Sequence, residues 1–268
     1  MINVLSLAAL PILAEGFEPP TFDHEFKPAP LLFAGTPFEL NRILAIRLIA
    51  ALILMAIMVV YAKRAKLVPS KAQASIEVLM DFAKVNVGDS ILGTEEGRKY
   101  QPLLLTIFLG IFFMNITGVI PGLQIAGTSL VGMPLIYAIV AYIAFVVAGV
   151  KARGPKYFLE QVAPAGLPKP LYVIIVPIEL VSTFVIRPIT LTVRLLANMI
   201  AGHFVLALCF VGTHYLFFTM GGIGYAIAPI TLLGGIIYVV FEIFIAALQA
   251  YIFAILTAVY ISLSVSEH

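Results

Sequence analysis

The sequence predicts an all-α integral membrane protein of about five transmembrane helices. An amphipathic helix on the cytoplasmic surface accompanies them, and the last two helices are long enough to form a strongly tilted hairpin. Three observations predict this class. The 268 residues are 62% hydrophobic and 11% charged, where a soluble domain carries about 25% charged residues; mean hydropathy is +1.08. Several apolar runs reach about 20 residues, enough to cross a hydrocarbon core. Basic residues gather at alternate ends of those runs, as a sided membrane protein requires. The length fits a single membrane domain over about 43–268, preceded by an extracytoplasmic segment over about 1–42.

The opening "MINVLSLAALPILA" faintly resembles a signal sequence, but it lacks a basic start and Pro11 interrupts it. It reads as a retained segment at a membrane surface. Residues up to the first span carry Glu15, Glu18, Asp23, Glu25 and Glu39 against Lys27 alone. The first span, about 43–62, ends in Lys63, Arg64 and Lys66, so it runs inward from outside. A cytoplasmic-surface helix over about 70–92 follows. Ser70 and Gln73 have the spacing of a capping box; Ile76, Leu79, Met80, Ala83 and Val87 share one face, with Glu77, Asp81 and Lys84 elsewhere. It is too charged to span.

The second span, about 101–120, runs outward from Arg98 and Lys99. After the uncharged turn "GVIPGLQIAGT", the third span, about 133–150, returns to Lys151, Arg153 and Lys156. The fourth apolar stretch, about 168–220, exceeds one perpendicular crossing. Forty-odd of its residues would make a helix of roughly 65 Å against a core of about 30 Å. It must break, near Pro177 or Pro188, or tilt. "MGGIGYAIAP" makes the outer turn, and a final helix over about 230–263, roughly 50 Å long, returns to a cytoplasmic C-terminus.

The sequence carries no zinc-type spacing, phosphate-binding glycine loop or dinucleotide fingerprint, so no metal, cofactor or nucleic-acid partner is expected. The lone Cys209 reads as a small hydrophobe. His24, His203, His214 and His268 are too scattered for a metal cluster. What stands out is the ionisable set inside the apolar hairpin: Glu179, Arg187, Arg194, His203, His214 and Glu242, beside Asn198 and Gln249. An intramembrane charge costs at least a few kcal/mol and usually marks a pathway or a partner.

Helical spacing sorts these residues. Asn198 follows Arg194 by one turn on the same side, and Arg187 precedes it by two; His203 falls about half a turn round. Glu242 and Gln249, seven apart, share a face of the last helix. Arg187 is also suited to snorkelling or a structural ion pair, and His214 to the outer interface. In depth, Glu179 lies on the inner side of Arg194, with His203 and Glu242 on the outer side. Imidazole and carboxyl groups take up and release protons; a guanidinium stays protonated. The order is that of two half-pathways separated by a barrier, which a carboxylate carrier on another subunit would connect.

"RPITLTVRLLANMIAGH" and "FEIFIAALQAYIFAILTAVYIS" resemble the signatures of the subunit a family of rotary F-type ATP synthases, in the same helix order along the chain. The resemblance implies a non-catalytic stator subunit with two offset proton half-channels, in a bacterial plasma membrane. Its partners would be the c-ring, whose carboxylate faces Arg194, peripheral-stalk b-type subunits, the remaining synthase subunits and lipid. By match, Arg194 takes the place of the family's essential arginine, with Asn198 and Gln249 as its polar neighbours. His203 and Glu242 occupy the outer half-channel with acid and imidazole exchanged relative to some members, and Glu179 stands near the inner carboxylate. Glu179 is one residue further from Pro188 than in the family, a spacing a local bulge would absorb. "RLLAN" replaces the common "RLFGN".

Two other classes predict different features. A proton-coupled secondary transporter with Arg194 in a substrate site would show internal repeats, and none is visible. A structural subunit of an electron-transfer complex would show haem-ligating histidine pairs or cysteine clusters, which the sequence lacks.

Overall fold

The computed structural model describes residues 20–21, 26, 30–32, 39–162 and 169–265. The signal-like opening, the acidic residues before Glu39, and His24 and His268 lie outside the described residues. A short antiparallel pair, β1 (Pro30–Leu32) and β2 (Leu40–Asn41), precedes the first helix. No hydrophobic alternation in the sequence pointed to it.

Helix α1 (Arg42–Arg64) starts where the Asn41 side chain accepts the Leu44 N–H at 2.9 Å. It ends with Lys63 and Arg64 in the last turn, where cations complement the helix dipole. Two arginines at its start hold the turn between the second and third spans. Arg42 donates to the carbonyls of Gly122 and Leu123 (3.4 and 2.9 Å), and Arg47 to those of Gly127 and Leu130 (2.7 and 3.3 Å). Ile43 and Ile46 pack on Ile125 in the same place. Replacing Arg47 with methionine strands two carbonyls while keeping an apolar stem. A loss on the order of 2 kcal/mol is expected, read as a lower unfolding temperature of the detergent-solubilised membrane sector.

Helix α2 (Lys71–Ala83) continues through a π-helical turn (Lys84–Asp89) into α3 (Ser90–Ile116). The cap is half of the expected capping box. Ser70 accepts the Gln73 N–H, but the Gln73 side chain reaches the backbone of Lys66 and the carboxylate of Glu77 instead. The path Lys71–Ile116 bends at Gly93 (φ 74, ψ 170), a conformation that disfavours any side chain. Surface helix and span are therefore one connected element with a glycine elbow. Beyond it, the Thr117 hydroxyl bonds the Met114 and Ile125 carbonyls and accepts the Gly127 N–H, which folds the turn back on α3.

Helix α4 (Gly132–Arg153) leads through a 3₁₀ turn (Gly154–Lys156) to the short α5 (Tyr157–Val162). Helix α6 (Lys169–Val181), a π-turn (Ser182–Ile186), α7 (Arg187–Tyr215) and a second π-turn (Leu216–Met220) follow in line. The long fourth stretch does not break at Pro177 or Pro188: Leu171–Met220 is a continuous helical path of 50 residues. Its irregularity is a register change between the two prolines. Gly221 (φ 61) and Gly222 (φ 51) turn the chain into α8 (Gly224–Val265), 42 residues long.

Among the described residues five helical stretches are long and apolar enough to cross a membrane, and the chain is a multi-pass membrane protein. The core lies where α8 meets α3, α4 and α7. Ala246, Ala250, Ala254 and Ala258 recur every four residues on α8 and are all buried. Lipid is as apolar as a leucine side chain, so helix association depends on close packing, and small residues permit it. Ala250, Ala254 and Ala258 pack in one cluster with Leu104, Ile107, Phe108, Leu195, Met199 and Phe253. Ala254→Leu adds three carbons at a fully buried position. About 1–3 kcal/mol of overpacking is expected, visible as reduced recovery of the chain in the purified complex. The far end of α8 is tied down by Arg153 donating to the Leu263 carbonyl and by a 3.1 Å bond between the Tyr157 and Ser264 hydroxyls.

Candidate functional site: the α7–α8 hairpin

The segment "VRLLANMIAGH" forms unbroken helix inside α7, and helical periodicity divides it between two environments. Leu195 and Met199 are each 1% exposed and join the core; Gly202 and Leu206 continue that buried ridge. Arg194, Ala197 and Ala201 are exposed, and Asn198 is half-buried beside them. The spacing of the segment therefore has a physical reading. Its Leu, Met and Gly dock the helix, while its Arg stands on a separate, exposed side among small residues.

Arg194 makes no hydrogen bond or ion pair among the described residues, with Glu179 and Glu242 included, whereas a structural ion pair is the other reading of an arginine in this hairpin. Arg187 fills that role. Its guanidinium lies 3.7 Å from the Glu179 carboxylate and 5.1 Å from the ring centre of Tyr260 on α8. Glu179 also accepts a hydrogen bond from Thr183 at 3.1 Å. The π-turn over 182–186 explains the pairing. On a regular helix eight residues leave Glu179 and Arg187 about 80° apart, whereas one residue absorbed in a bulge leaves about 20°. The bulge stands between Glu179 and Pro188.

On α8, Glu242 and Gln249 belong to the buried ridge, at 5% and 7% exposure. The Glu242 carboxylate rests on Gly202: a β-carbon added there would fall on its oxygens. Glu242 thus sits against the residue that precedes His203. Its Oε2 is buried and receives no hydrogen bond among the described residues. A buried carboxyl oxygen with unmet capacity calls for a functional explanation. His203 borders a cavity of about 400 Å³ with Gly118, Val119, Pro121 and Gln124 of the turn between the second and third spans and Leu206, Ala207 and Phe210 of α7. His214 is exposed and packs on Phe218, outside this cluster. Nearer the hairpin turn, the Thr213 and Thr231 hydroxyls bond at 2.8 Å and join α7 to α8.

Along the hairpin, His203 and Glu242 lie on the turn side of Arg194, Glu179 on the other side, and Arg194 on an exposed face between them. Among the described residues no group of three or more His, Cys, Asp or Glu side chains is placed to hold a metal. Sequence reasoning overlooked Gly202, although it falls on the same face as Leu195 and Met199. It also overlooked Arg42 and Arg47, which the hydropathy of the first span conceals.

The family model described as ATP synthase A chain matches residues 44–262. The chain is 41% identical to the ATP synthase subunit a of Rhodococcus erythropolis over 266 residues, covering 98% of this chain and 96% of that one. It is 36% identical to that of Frankia alni over 264 residues, covering 96% and 89%. It is also 34% identical to that of Gluconacetobacter diazotrophicus over 220 residues, covering 82% and 86%.

Proposed function

The chain belongs to the ATP synthase A chain family, and we propose that it is the stator that passes protons to and from the c-ring through two offset half-channels. The observation that carries this reading is the exposed Arg194, unpaired among the described residues, on an apolar hairpin whose titratable groups lie to either side of it. A permanent cation in lipid without a partner among the described residues calls for one outside the chain. The rotor carboxylate has the required charge. The small Ala197 and Ala201 beside Arg194 leave room for another helix to come close.

In this mechanism a proton enters at the outer cavity, meets His203 and the buried Glu242, and protonates a rotor carboxylate. After rotation the carboxylate meets Arg194 again and releases its proton toward Glu179 on the inner side. Arg194 favours the ionised carboxylate and, because it does not deprotonate, offers no route between the halves. Asn198 and Gln249 are its polar neighbours along the α7–α8 seam. The subunit does no covalent chemistry; proton flow turns the rotor, and ATP is made elsewhere in the complex. The basic ends of the cytoplasmic loops favour an N-terminus outside the plasma membrane and a C-terminus inside. Peripheral-stalk b-type subunits and lipid complete the surroundings. An exposed Arg194 suits this reading better than a transporter, which would bury it in a central substrate cavity.

Disulfide trapping tests the reading. In a Cys209→Ser background, cysteine at Ala197 or Ala201 should crosslink on oxidation to cysteines beside the rotor carboxylate. Cysteine at the buried Met199 should not. Failure of both exposed positions in an assembled complex removes α7 from the rotor interface.

A further inference from the structure

Phe26 belongs to the segment before the first span, yet it is only 2% exposed. Its ring stands edge-on to the His203 imidazole, with centroids 5.2 Å apart and planes at 68°. It also leans on Phe204 at 5.7 Å. His203 borders the cavity beside α7 as well, where Gln124, held at φ 52, contributes a polar side chain. One imidazole therefore meets a largely apolar cavity, to which Gln124 brings the other polar side chain, and a buried apolar ring. Edge-to-face aromatic contact fixes the plane of a ring. A phenyl group offers neither hydrogen-bond donor nor acceptor, so a water chain has no path through it.

We propose that Phe26 is a positioning residue of the outer half-channel: it closes one side of His203, so that water and protons reach the imidazole through the Gln124-lined cavity. The proposal rests on the reading of His203 as an outer half-channel group. It gives the extracytoplasmic segment a part in proton delivery.

The test uses the assembled complex in membranes whose outer face is accessible, with diethyl pyrocarbonate as the probe. Modification is followed by peptide mass spectrometry, and the exposed His214 serves as an internal reference. Phe26→Ala should raise the rate at His203 relative to His214 about tenfold. Phe26→Leu, which restores apolar bulk, should return it most of the way to the parent. An unchanged ratio in Phe26→Ala overturns the proposal. A Leu variant as reactive as the Ala variant also overturns it, because the effect would then come from a loosened segment. His203→Ala is measured separately for ATP-driven proton pumping. Undiminished pumping there removes the half-channel role of His203, whereas an unchanged modification ratio removes only the role of Phe26.

Discussion

Arg194→Ala should abolish ATP-driven acidification of membrane vesicles, with a loss of at least about a hundredfold, while the complex still assembles. The magnitude follows from charge. A guanidinium and a carboxylate about 5 Å apart at an effective dielectric constant near 20 interact by about 3 kcal/mol, or a little over two orders of magnitude in an equilibrium. Without that term the rotor carboxylate holds its proton as it passes the hairpin, and release to the inner side fails. The same substitution should raise passive proton leak through the stripped membrane sector, because the fixed charge between the two halves has gone. Assembly should survive, since Arg194 is exposed and makes no bond within the described chain. Arg194→Lys keeps a charge that can be lost by deprotonation and should give intermediate leak. Unimpaired coupled pumping in Arg194→Ala would sink the stator reading and reopen that of a transporter.

Gly202→Ala should cut pumping about tenfold, and Glu242→Asp in the same chain should restore part of it. The added methyl falls on the Glu242 carboxylate, which must then leave its seat. Overpacking of this kind costs about 1–3 kcal/mol, and each 1.4 kcal/mol is about tenfold. Helix propensity works in the opposite direction, since alanine favours a helix over glycine by about 1 kcal/mol. A loss of activity with normal assembly would therefore come from the contact with Glu242. Aspartate is one methylene shorter and can sit back from the new methyl group. Initial pumping rates of the two single variants and the double variant check this. A double variant no better than Gly202→Ala would show that the methyl acts on something other than the carboxylate.

The two substitutions also mark the limit of what spacing can say. That Arg194 and Asn198 share a side while Leu195 and Met199 share another follows from 3.6 residues per turn. Which side meets protein does not follow, because in a membrane helix both a lipid-facing and a protein-facing side are apolar. Burial of Leu195 and Met199 against Ala250, Phe253 and Ala254 required the position of α8. The nearness of Arg187 to Arg194 along the sequence was visible, but their separate fates were not. Arg187 turns to Glu179 and Tyr260 because of the π-turn over 182–186, a change of register without a simple composition signal.

By itself, the sequence determined the class of the protein, the number of helices able to span, the basic and acidic sides of the chain, and the residues that bear charge in its apolar part. These are local properties: hydropathy, charge and turn residues act over about 20 residues, the length of one crossing. The tertiary structure decided which of those charges are spent within the chain and which remain available. It seated Glu242 on Gly202, set Phe26 against His203 and fastened the turn between the second and third spans to Arg42 and Arg47. Each of these contacts joins residues tens of positions apart. They form only once helix packing has fixed relative depth and rotation, and helical period alone cannot supply either.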